Sequence, residues 1–141
     1  RLAQVYKMES GVDVTDVEGA GAAGGLAGGL LTVGAKLVSG FEFIADEVGL
    51  DELIESADLV ITGEGFLDDE SFDGKVVGGV AALCAELDVP CVAIVGEVIE
   101  PLPAFPKGFS VVSLTERFGV DRSMEDPIEC AIEVALEFVE H

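Results

Sequence analysis

Apolar positions recur along the chain with two periods, and the change from one to the other marks the elements. Leu2, Val5, Tyr6 and Met8 have helical spacing, so Leu2 to Glu9 reads as a helix that Gly11 can end. Val12, Val14 and Val17, separated by acids, predict a short extended segment. A glycine-rich turn follows at Gly19 to Gly25, with a tightly packed helix over Ala20 to Val33. Ala35 to Val38 predicts a strand that Ser39-Gly40 breaks. Phe41, Ile44, Ala45 and Val48 then form one face of a helix, and a second short helix after Gly49 turns Leu50, Leu53 and Ile54 inward.

From Ala57 the periods alternate regularly. "ADLVIT", Ala57 to Thr62, predicts a strand, and "GEG" turns the chain at its end. Gly74 to Leu87 predicts a helix with Val76, Val77, Val80, Ala81, Leu83 and Cys84 mostly on one side. "VPCVAIV", Val89 to Val95, is almost wholly apolar, as in a parallel strand buried on both faces. Glu97 to Gly108 holds three of five prolines and reads as loop, Phe109 to Leu114 as a strand. A last helix spans Pro127 to Val139, capped by Asp126 or Ser123, with Ile128, Ala131, Ile132, Ala135, Leu136 and Val139 inward. This order predicts a single α/β domain over residues 1–141, with a mostly parallel, Rossmann-like sheet flanked by helices.

Composition sharpens this picture. The 141 residues allow one real core, and with half of them hydrophobic, eighteen glycines and no Trp, that core is aliphatic and closely packed. The formal charge of −21 repels nucleic-acid phosphates, and it repels free ATP unless a cationic or metal site reverses the local sign. The acidity and the scarcity of lysine also suit a salty cytoplasm. No apolar run reaches membrane-spanning length; Gly19 to Gly34 is short and interrupted by glycines. Cys84, Cys91 and Cys130 show no metal-ligand spacing and read as small core residues in a reducing compartment. The sole histidine, His141, ends the chain, which argues against Ser-His-Asp or Cys-His chemistry.

Two stretches carry candidate chemistry. "GAGAAGG" contains G-x-G-x-x-G at Gly19, Gly21 and Gly24, where backbone amides can approach an anion. A dinucleotide fold also needs an acid ending the second strand, and "AKLVSG" ends without one. The readings left open are a packing turn, another kind of anion site and a dinucleotide-binding oxidoreductase domain. The second stretch is the loop after "LVIT". Gly74-Lys75 is not a P-loop, because Asp69 stands where its glycine is needed and Val76 where Ser or Thr is needed. Yet ligands of open α/β sheets bind beyond the carboxyl ends of strands. There Gly63 and Gly65 offer amides, Glu64 and Asp68 can hold a metal or accept a proton, and Lys75 can meet a phosphate. A solvated acidic connection, or a non-catalytic ligand-binding module, remains the alternative.

"GAGAAGGLAGGLL" together with "ADLVITGEG", a following aspartate and "S-x-x-GK" resembles the C-terminal part of the type I glycerate kinases, over nearly the whole chain. The resemblance implies a cytoplasmic phosphotransferase with an alcohol acceptor, using ATP and Mg2+ to phosphorylate glycerate. It also implies two α/β domains with substrates in the cleft between them, so that the N-terminal part of the protein is missing here and the fragment is inactive alone. A homo-oligomer is left open. Catalytic roles carry over to Asp68, Glu64 and Lys75, with Asp68 and Glu64 at the metal. Gly19, Gly21, Gly24, Gly63, Gly65, Ser71 and Gly74 carry over as nucleotide-binding positions. The family commonly has Arg after "GEG", where this chain has Phe66.

Overall fold

The computed structural model describes residues 1–139; His141, on which the argument against histidine-based chemistry turned, lies outside the described residues. The chain divides into two compact units, Arg1–Ser39 and Gly40 onward.

The first unit holds two helices. α1, Leu2–Ser10, ends at Gly11 in the left-handed conformation, where a glycine avoids the Cβ penalty. α2, Ala22–Leu31, starts unusually: Ala23, Gly24 and Gly25 have positive φ, so its regular right-handed turns begin only after Gly25. The strands expected around Val12–Val17 and at Ala35–Val38 do not form; both stretches are turns and irregular backbone. With two or three apolar residues each and no partner strand in the unit, neither can satisfy its backbone by pairing. α1 and α2 instead meet through Tyr6, whose hydroxyl donates to the Gly25 carbonyl at 3.0 Å. A Cβ on Gly29 would stand 3.0 Å from that hydroxyl, and one on Gly28 3.0 Å from the Ala20 carbonyl.

The second unit is α/β. Two helices, α3 (Gly40–Val48) and α4 (Leu50–Glu55), lead into β1 (Val60–Leu67). A 3-10 turn (Asp69–Phe72) and α5 (Val76–Glu86) connect to β2 (Cys91–Val98). β3 (Phe109–Ser113) is followed by α6 (Leu114–Phe118), α7 (Val120–Glu125) and α8 (Pro127–Val139). The strands pair in parallel in the order β1-β2-β3, with Val60 opposite Cys91 and Cys91 opposite Phe109. α5 covers one face, closing a core of Ile54, Leu67, Val77, Ala81, Cys84, Cys91, Ala93 and Val95. Leu114, Cys130 and Val134 pack on the other face beside Ile94 and Val112.

Four expectations change here. "GEG" does not turn the chain: Gly63, Glu64 and Gly65 are inside β1, with Gly63 opposite Ile94 and Glu64 opposite Val95. Glycine is needed at 63 for close approach, since a Cβ would lie 2.3 Å from the Ile94 carbonyl oxygen. Leu53 is largely exposed, leaving Leu50 and Ile54 as the inward residues of α4. α8 buries Cys130 and Val134, while Ile128, Ile132, Leu136 and Val139 stay exposed. That helix is apolar on two sides, so periodicity alone cannot say which side the sheet takes. Nor does Ser123 cap it: its hydroxyl is buried and donates to the Val120 carbonyl at 3.0 Å.

Candidate functional site

Beyond the end of β1 the chain makes a polar knot. Asp68 caps the 3-10 turn: its Oδ1 accepts from the Ser71 amide at 2.9 Å and from the Ser71 hydroxyl at 3.0 Å. The Ser71 Oγ in turn accepts from the Asp68 amide at 3.1 Å, completing a reciprocal capping box. Ser71 is fully buried, so these bonds are shielded from water. A Cβ on Gly78 would lie 2.5 Å from the Ser71 carbonyl oxygen and 2.6 Å from Phe72 Cα, so glycine lets α5 press against this turn. Gly74 has φ +73°, a left-handed position that places Lys75 extended at the N-cap of α5.

Lys75 Nζ is 3.4 Å from Glu70 Oε2 and 3.7 Å from Asp68 Oδ1. The Ser71 hydrogen bond, helped by the Lys75 charge, holds the Asp68 carboxyl below its ordinary range. For Lys75, partial desolvation works against the charged form. The hydrogen bond to Glu70 and the charges of Asp68, Glu70 and Glu64 outweigh it and raise the ammonium above its ordinary range. Asp68, Glu70 and Lys75 keep access to solvent.

Glu64 is the odd member. From inside β1 it reaches a groove of about 700 Å³ that it lines with Gly63, Gly74 and Lys75, against an apolar wall that includes Phe41, Ile44 and Val48 of α3. Its Oε1 is buried and has no hydrogen-bond partner among the described residues. A buried carboxylate oxygen without a donor is costly, so this atom is an acceptor in want of a donor or cation. No group of three or more metal-ligating side chains occurs among the described residues. Two carboxylates suit Mg2+, which keeps several waters and takes one or two carboxylates plus substrate phosphates. They do not make a metal cage built from protein alone.

The second unit therefore gathers Asp68, Ser71 and Lys75 directly, and Gly63, Glu64, Gly74 and Lys75 along one groove. Gly65 lines a second groove, beside α8, and Glu64 lines that one too. Gly19, Gly21 and Gly24 belong to the first unit. Gly21 and Gly24 there line a cavity of about 360 Å³ with Leu2, Tyr6 and Val14. No strand precedes their turn and α2 starts left-handed, so the strand-turn-helix setting of a dinucleotide fingerprint is not present around it. Sequence reading left out Glu70 and the groove wall on α3. Glu70 stands five residues before Lys75 in an acidic run that gives no reason to choose it, and the α3 stripe reads as ordinary core. Cys84, Cys91 and Cys130 are all buried as expected. Burial, with Cys84 beside it, pushes the Cys91 thiol up to about 12, far from a reactive thiolate.

Residues 1–135 match the model of the glycerate kinase family. The glycerate 2-kinase of Escherichia coli (strain K12) is 43% identical over 99 residues, covering 70% of this chain and 26% of that protein. The glycerate kinase of Neisseria meningitidis serogroup B (strain MC58) is 37% identical over 131 residues, covering 89% of this chain and 32% of that protein. A crystal structure designated glycerate kinase 2, from Salmonella typhimurium LT2, superposes with a TM-score of 0.57 at 32% identity. It covers 97% of this chain and 38% of its own. The chain thus spans about a quarter to a third of the length of the two curated relatives.

Proposed function

This chain belongs to the glycerate kinase family, and on that premise we propose that the complete protein transfers the γ-phosphoryl group of ATP to a hydroxyl of glycerate. The observation that carries the site assignment is the unpartnered, buried Oε1 of Glu64, a residue that lines one groove together with Lys75.

The reaction breaks the bond between the γ-phosphorus and its bridging oxygen, forms a bond to the glycerate oxygen and releases the hydroxyl proton. Such transfer depends on positioning and on balancing charge rather than on covalent chemistry by the protein. In our reading Lys75, held cationic by three neighbouring carboxylates, meets phosphate oxygens. Glu64 Oε1 accepts the proton of the substrate hydroxyl, or joins Asp68 in holding Mg2+. Asp68 suits the metal role because Ser71 fixes its orientation through Oδ1. Bound there, Mg2+ would neutralise phosphate charge. The Gly19–Gly24 turn would offer backbone amides to an anion. We place the protein in the cytoplasm; among the described residues no helix is long and apolar enough to cross a membrane.

The test is a coupled ADP-release assay on the complete protein. Glu64→Gln and Asp68→Asn each lower kcat by about 10²-fold or more, the scale for losing a transition-state contact, with the fold kept by circular dichroism. Unchanged turnover in both variants would instead favour a non-catalytic binding module. Residues 1–141 assayed alone show little or no turnover, and normal turnover by them alone would refute the division of the site between this chain and the rest of the protein.

A further inference from the structure

The apolar stripe of α3 is only partly used by the core. Phe41, Ile44, Ala45 and Val48 recur at the spacing of one helix face. Of these, Phe41 packs against the core, while Ile44 and Val48 are 59% and 55% exposed. Phe41 sits close on α5 because residue 79 is glycine: a Cβ there would lie 2.5 Å from two atoms of the Phe41 ring. The stripe lines the same groove of about 700 Å³ as Glu64 and Lys75. Of the described residues that line it, Lys75 is the sole cation and Glu64 the sole acid; the others are apolar or glycine. The groove thus joins one small charged region to a broad apolar wall.

We propose that the α3 wall receives the purine base of the nucleotide, so that this groove is the ATP site and glycerate is held by groups elsewhere in the polypeptide. The inference rests on the reading of Lys75 as the partner of phosphate oxygens. Two observations choose the base over glycerate. Every carbon of glycerate carries oxygen, so its carboxylate and hydroxyls need donors and cations, and Phe41, Ile44, Ala45 and Val48 supply none. Lys75, the one cation there, is already committed to phosphate. A purine has large apolar faces and is tied through a sugar to a chain of phosphates, the same division that the groove shows between α3 and Lys75. The size agrees: about 700 Å³ lies within the range of about 300–1,000 Å³ for sites that hold drug-sized ligands, and exceeds what a three-carbon acid fills. A protein segment laid on the wall is the competing occupant. Whatever covers Ile44 and Val48 shares the groove with Lys75 and Glu64, and an apolar segment has nothing to offer either charge.

The test uses the complete protein with two probes, ATP and inorganic triphosphate, which carries the phosphates without the base. Each is titrated calorimetrically in the presence of Mg2+. Ile44→Glu, a substitution at a half-exposed site, should weaken ATP by about tenfold or more, the scale for spoiling an apolar pocket, and leave triphosphate binding unchanged. Equal loss of both probes, or loss of neither, overturns the proposal; equal loss would mark the wall as a protein interface. A second measurement needs no variant. Hydrogen exchange of α3, Gly40–Val48, should slow when the wild-type protein is saturated with ATP and not when it is saturated with triphosphate. Protection by both probes alike, or by neither, overturns the proposal. Failure of the kinase reading looks different: ATP bound in this pattern with no ADP released in the presence of glycerate supports the base site and refutes the reaction.

Discussion

Single atoms decide how closely this site is built. Gly63 and Gly78 look alike in sequence, one in "GEG" and one in "VVGGV", and both serve close backbone approach. At Gly78 an added Cβ would meet backbone at 2.5 Å and 2.6 Å, and backbone cannot swing aside as a side chain does. Gly78→Ala should therefore cost about 1–3 kcal/mol, the usual range for overpacking, measured by urea unfolding. It should also push the turn carrying Asp68 and Ser71 away from Lys75. Gly74→Ala differs: there is open space around it, and only its left-handed backbone resists. The Glu64 oxygen without a partner could not be found from sequence, because a glutamate after a strand is most often solvated.

At the scale of elements, the 3-10 turn Asp69–Phe72 is a small polar device set between two apolar ones. Asp68 is ionised when it caps this turn, and its folded carboxyl sits below its ordinary value of 3.8. A depressed carboxyl contributes stability that is complete above the unfolded value and is lost as pH falls through the folded one. Thermal melts of residues 1–141 should thus be little affected by Asp68 between pH 7 and pH 5, and should drop below about pH 4. Asp68→Asn should lower the melting point at pH 7 and flatten that part of the acid limb. The "S-x-x-E" of Ser113 and Glu116 is a second polar device, a cap signal that the expected strand through Leu114 passed over. The Ser113 hydroxyl accepts from the Glu116 amide at 3.3 Å, so the strand stops at Ser113 and α6 starts at Leu114, one residue earlier than the apolar run suggests.

For the whole molecule, charge is the dominant property. Among the described residues five cations stand in ion pairs: Lys7 with Asp13, Lys75 with Asp68 and Glu70, Lys107 with Asp88, Arg117 with Glu137, and Arg122 with Glu133. With 28 Asp and Glu against seven Lys and Arg, acids outnumber cations fourfold. Their mutual repulsion acts through water and is screened when salt shortens the Debye length from about 10 Å at 0.1 M to about 3 Å at 1 M. Raising KCl over that range should increase the melting temperature by about 5 °C or more, although salt weakens the surface pairs. A flat or falling melting curve would mean that the pairs outweigh the net charge. The sequence by itself determined the parallel α/β order after Ala57, the buried cysteines, the helix at Pro127–Val139 and the family, because period, length and motif are local properties of the chain. Only the tertiary structure decided that "GEG" stays inside a strand, which side of α8 the sheet takes, that Val12–Val17 and Ala35–Val38 form no strands, and that Glu64 keeps an unpaired oxygen. Each of those depends on which neighbour is available to pair or pack, and neighbours distant in sequence leave no mark on local spacing.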